Sequence, residues 1–86
     1  MKRYEIVIVK SALKNLRTIP HFYQQQIIRK IESLAFNPRP QGCEKLSQRD
    51  NEYRIRIGVY RVIYSVYDFR LLIEVIDIDH RKQVYR

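Results

Sequence analysis

A single cysteine, Cys43, stands among the 86 residues of this chain, so no internal disulfide and no cysteine-based zinc site can form. The two histidines, His21 and His80, lie far apart in sequence and offer no metal-ligand spacing. No metal and no cofactor are therefore expected. There is no repeat, no low-complexity tract and no linker. Near the start, only Ile6 to Val9 run uninterrupted between Glu5 and Lys10. That is too short for a signal-peptide core, and nothing approaches the roughly 20 apolar residues of a membrane span. These absences lead to the expectation of one domain over residues 1–86, working in a reducing cytoplasm and away from membranes. Acids are also scarce: nine Asp and Glu face seventeen Lys and Arg, a formal charge of +8. Such an excess on a small chain implies a polyanionic partner, either nucleic acid or an acidic protein.

The remaining residues pattern clearly. "YEIVIVK" is rich in β-branched residues and reads as a strand. Ser11 fits the N-cap of a short helix with Leu13 and Leu16 on its inner side. Pro20 disfavours helix at Ile19 and suits the first turn of a second helix. There Tyr23, Ile27, Ile31 and Leu34 share one face, with Ile28 and Ala35 beside them; Gln24, Gln25, Arg29, Lys30, Glu32 and Ser33 form the wet side. Asn37-Pro38 ends it. "NPRPQGCEKLSQRDNE" reads as a loop with a brief edge strand at Lys45-Leu46. A hairpin, the strand "RLLIEVIDID" and the tail "HRKQVYR" complete the chain. The order β-α-α-β-β-β predicts an α+β fold, with two N-terminal helices packed on one face of a small antiparallel-dominated sheet.

The hairpin "YRIRIGVYRVIY" carries the chemistry. Gly58-Val59 fits a two-residue type II′ turn, which wants glycine first. Ile57 then faces Tyr60, Arg56 faces Arg61, Ile55 faces Val62 and Tyr53 faces Tyr64. Opposed residues share a face. Six apolar and aromatic residues form the core side, and Arg54, Arg56 and Arg61 lie on the other. Like charges opposed across strands destabilise a sheet. Either acids of the following strand (Glu74, Asp77 or Asp79) neutralise the cluster, or it awaits phosphate, whose oxygens match guanidinium forks. In the second case, replacing Arg56 or Arg61 by threonine is expected to relieve repulsion.

The last strand runs antiparallel to the second hairpin strand and is expected to bring His80 and Arg81 toward Arg61. Lys82, Tyr85 and Arg86 follow. Several arginines, a histidine and a tyrosine around one phosphate suit RNA cleavage, in which the RNA supplies its own 2′-OH nucleophile. Arginine is a poor base. Histidine is the residue type that ordinarily switches charge near neutrality, which makes His80 the natural candidate, and Tyr85 serves if neighbouring cations lower its pKa. By residue type alone, His80 fits a surface role equally well and Tyr85 a packing role.

The ordered set "YEIVIVKSALKNL", "NPRPQGCEKL", "YRIRIGVYRVIY" and "HRKQVYR" resembles the RelE branch of the RelE/ParE toxin superfamily over essentially the whole chain. The resemblance implies a toxin of a toxin–antitoxin system, a ribosome-dependent endoribonuclease that cuts mRNA in the 30S A site without metal. It implies Arg61, Arg81, His80 and Tyr85 as catalytic residues. Arg54, Arg56, Lys45 and Lys82 would bind phosphate or RNA. Arg54 and Arg56 stand where relatives often have lysines, which moves the burden of proton transfer to His80 or Tyr85. The partners implied are an acidic antitoxin, the ribosome with its mRNA, and operator DNA only through the antitoxin complex. ParE-like members share the scaffold but inhibit DNA gyrase; that activity, or a non-catalytic basic RNA-binding module, is the alternative reading.

Overall fold

The computed structural model describes residues 3–46 and 50–80. Strand β1 (Glu5–Ile8) leads into helices α1 (Lys10–Arg17) and α2 (His21–Ser33). A two-residue strand β2 (Glu44–Lys45) precedes the hairpin of β3 (Glu52–Ile57) and β4 (Tyr60–Tyr67), and a 3₁₀ turn (Asp68–Arg70) leads to β5 (Leu72–His80). The five strands form one sheet in the order β1-β5-β4-β3-β2. Among the described residues only β1 and β5 pair in parallel; the other neighbours are antiparallel. The α+β architecture is the one expected, with small differences at element ends. Val9, not Ser11, occupies the N-cap of α1, and no side chain caps it. Pro20 is itself the N-cap of α2, where its missing N–H costs nothing. The edge strand begins one residue earlier than its composition suggests.

Both helices cover one face of the sheet. Ala12 and Leu16 from α1, and Ile27, Ile31 and Leu34 from α2 and its end, join the hairpin's core side and Ile73, Val75 and Ile78 of β5 in a single buried cluster. Tyr23 and Ile28 stay partly exposed at the margin of that cluster. The hairpin register is the one its turn requires: Ile57 opposes Tyr60, Arg56 opposes Arg61 and Tyr53 opposes Tyr64. Gly58 has φ +60°, a conformation that costs residues with a Cβ but suits the first central position of a II′ turn.

Strand β5 contains an irregularity that decides which way its end faces. Ile63 pairs with Asp77, but the next residue, Tyr64, pairs with Val75. Ile76 is the extra residue of a bulge, and a bulge reverses the alternation of every side chain beyond it. Ile73 and Val75 face the helices before it, and Ile78 faces them after it.

The connection after α2 is anchored by specific polar contacts. Arg39 donates from Nε to the Tyr53 hydroxyl at 2.9 Å and from Nη2 to Asp68 Oδ2 at 2.8 Å. Its guanidinium lies 5.2 Å from the Tyr53 ring centroid. Tyr4 donates to the other oxygen of Asp68 at 2.6 Å. Tyr64, fully buried and stacked on Tyr53, donates to the Pro38 carbonyl at 2.7 Å. Burial pushes the Tyr64 phenol above the ordinary tyrosine range, because the phenolate would lose its hydration.

Replacing Tyr64 with phenylalanine is expected to cost about 0.5–1.5 kcal/mol, the net worth of one hydrogen bond. The pH dependence has a definite sign. A folded-state pKa above the unfolded one contributes stability that is present below the ordinary tyrosine value of 10.0 and lost as pH rises through the folded value. Chemical denaturation at neutral pH and at increasingly alkaline pH should show a shallower alkaline decline in Tyr64→Phe than in the parent.

Candidate nucleic-acid interface

Strand alternation and register assemble the site on the sheet face away from the helices. Arg54 and Arg56 alternate with the buried Tyr53 and Ile55 on β3. Arg61 lies across from Arg56 on the central strand β4. The neighbouring strands complete two rows. In one, Asp79 of β5, Arg61 and Arg56 lie abreast; in the other, Asp77, Ile63, Arg54 and Glu44 of β2 do. The arginines are thus flanked by acids on both sides, as the presence of Asp77 and Asp79 on the next strand allowed. Arg54 donates from Nε to Glu44 Oε1 at 2.9 Å, and its Nη2 reaches the same oxygen. That contact holds the Glu44 carboxyl below the ordinary glutamate range, with Arg56 and Arg61 adding to the effect. Asp77 is shifted the other way, first by burial and then by the charge of Asp79. The Asp79 carboxylate accepts the backbone N–H of His80 at 2.9 Å.

Accessibility is uneven along the row. Arg61 keeps only 4% of its surface, while Arg56 is exposed. Strand β2 pairs with residues 53 and 54 of β3 only, so Arg56 reaches an edge where a groove opens against α2. Arg29, Lys30, Gln26 and Ser33 line that groove beside Arg56 and Ile57. Arg29 and Lys30 read from the sequence as the wet side of a helix. Their only signal was adjacent positive charge on a polar face, and tertiary packing turned it into part of a basic groove.

Two expected members of the site are not brought to it. His80 pairs with Tyr60, so its ring lies on the helix side of the sheet. It meets Tyr60 edge-on at a centroid distance of 5.3 Å and lines a cleft with Asn15, Thr18 and Pro20. The reason is register: Asp79, not His80, is opposite Arg61. Lys45 pairs with Tyr53 and is likewise directed away from the arginine face, which its neighbour Glu44 occupies. Arg81, Lys82 and Tyr85 lie outside the described residues.

A five-stranded sheet with helices on one side and an arginine row on the other defines a small basic α+β protein. Comparisons identify its family. A family profile described as "ParE toxin of type II toxin-antitoxin system, parDE" matches residues 6–85. The chain is 33% identical, over 98% of its own length and 97% of the relative's, to a Methanocaldococcus jannaschii protein named "Putative toxin RelE1". Its fold is similar to RelE in the archaeal RelE–RelB complex from Pyrococcus horikoshii, with TM-score 0.84, 28% identity and coverage of 95% of this chain and 99% of that one. The isolated Escherichia coli RelE toxin matches with TM-score 0.80 and 25% identity, covering 90% of this chain and 83% of that one. The chain belongs to the ParE toxin family of type II toxin–antitoxin systems, within the RelE/ParE superfamily.

The burial difference separates the two opposed arginines in a measurable way. Arg56→Thr should be neutral or stabilising by about 0.2–1 kcal/mol at low salt, since it removes an exposed like charge, and the gain should shrink at high salt. Arg61→Thr should instead destabilise by about 1–3 kcal/mol, because it empties a buried position beside Asp79. Thermal melts of both variants at two salt concentrations check this. A gain in stability for Arg61→Thr would restore the expectation that repulsion dominates there.

Proposed function

We propose that this toxin is of the RelE type and cleaves mRNA in the ribosomal A site. The observation that carries the reading is the arginine row on one sheet face, in a chain whose relatives include named RelE toxins. Arg54 and Arg56, with Arg81, hold the scissile phosphate, the buried Arg61 adds its charge from within the sheet face, and the groove of Arg29, Lys30 and Arg56 extends the positive surface along the RNA. The 2′-OH oxygen attacks the adjacent phosphorus and the bond from phosphorus to the 5′-oxygen breaks. The leaving 5′-oxygen takes a proton from water, so the products are a 2′,3′-cyclic phosphate and a 5′-hydroxyl. The guanidiniums supply charge stabilisation, so no metal takes part in the step. With His80 turned to the helix side, Tyr85 is the residue assigned to take the 2′-OH proton.

The same basic surface fits an acidic antitoxin; RelE of Pyrococcus horikoshii and of Escherichia coli are each seen in complexes with RelB. Operator DNA is engaged only through such a complex. No helix among the described residues is long and apolar enough to cross a membrane, and the proposed site of action is cytoplasmic. A second reading, inhibition of DNA gyrase, is favoured by the description of the matching family profile alone.

Primer extension on a message, translated and untranslated, tests the proposal. Cleavage should require ribosomes and survive EDTA treatment once the Mg²⁺ that ribosomes need is restored. Tyr85→Phe should lose about 10²–10⁴-fold in rate, the usual contribution of a proton-transfer group, whereas His80→Gln should retain most activity. An intact message together with blocked supercoiling by gyrase would establish the second reading instead.

A further inference from the structure

Glu44 is an anion already paired with one of the three arginines. Its Oε1 accepts from both Nε and Nη2 of Arg54, taking the donors that a phosphate oxygen would use. Arg56 and Arg61, in the neighbouring row, add to the effect of Arg54 in favouring the charged form of Glu44. The two partners are unequally sheltered: the Arg54 side chain is 24% exposed and that of Glu44 52%. Glu44 also rides on a strand of two residues, paired with Arg54 and Tyr53 only. An exposed carboxylate on so short an edge strand is readily displaced, because ion pairs of this kind contribute little net stability.

We infer that Glu44 is an internal stand-in for the substrate phosphate, which occupies the guanidinium of Arg54 in the free protein and yields it when a phosphodiester docks. The inference rests on the proposed RNA-binding role of the arginine row. Its consequence is a deliberate weakening: Glu44 keeps Arg54 extended and oriented while lowering affinity for any RNA that does not compete for that fork. Contacts that position the RNA elsewhere on the protein then contribute more to selection.

The test uses a fluorescently labelled short single-stranded RNA, the intact protein and no ribosomes. Anisotropy titrations compare the parent with Glu44→Gln, Arg54→Gln and the double variant, each first checked for an unchanged melt. Glu44→Gln should bind about two- to fivefold tighter at low salt, the range that exposed ion pairs control, and the gain should fade as salt rises. Arg54→Gln should bind more weakly, and adding Glu44→Gln to it should restore little. Equal or weaker binding by Glu44→Gln, with Arg54→Gln still impaired, overturns the role of Glu44 alone. An undiminished gain in the Arg54→Gln background also overturns it, since removal of any nearby negative charge would then suffice. If Arg54→Gln binds RNA like the parent, the arginine row is not the RNA surface and both readings fall.

Discussion

The two-residue turn at Gly58 and Val59 is the constraint on which both faces of the sheet depend. A turn of that length leaves one register for β3 and β4, and a slip by one residue would move every side chain to the opposite face. With Ile57 opposed to Tyr60, the buried Tyr53, Ile55, Val62 and Tyr64 meet the helices. The same register obliges Arg56 to face Arg61. The core and the basic surface are therefore one decision, and the unfavourable pairing of like charges comes with the favourable burial.

The surrounding strands moderate that pairing. Asp79 opposes Arg61 from one side and Glu44 opposes Arg54 from the other, so the positive row lies inside a frame of acids. Such a frame is useful to a protein that must hold concentrated positive charge before its partner arrives. Exposed acids on an edge strand cost little to displace. An arginine row is also a different instrument from a lysine row: its charge is permanent and its donors are fixed in a fork, so it binds and neutralises but does not move protons. In the proposed cleavage, proton transfer must then come from another kind of side chain.

The connection between α2 and β2 shows how a segment without regular structure is made specific. Arg39 ties it to Tyr53 and Asp68, and the Tyr64 hydroxyl ties it to the sheet through Pro38. Both tyrosines belong to the core side of the hairpin, so the loop that leads to Glu44 is positioned by the same residues that bury the hairpin.

Much of this was legible in the chain itself. Helical spacing marked Ile27, Ile31 and Leu34 as core, and a glycine before valine between two alternating runs set the hairpin register. Both are local signals, because the period of a helix and the length of a turn are properties of neighbouring residues. The adjacent Arg29 and Lys30 became part of a groove only when α2 packed beside the edge of β3. The direction of His80 was likewise beyond local reasoning. It depends on a bulge at Ile76 and on which residue of β4 lies opposite, and strand pairing is a relation between segments distant in sequence. Composition and local pattern determined the elements, the core and the positive charge; the tertiary pairing of β5 and β2 with the hairpin decided which residues share the arginine face, because register between strands is fixed by the summed burial of the whole sheet.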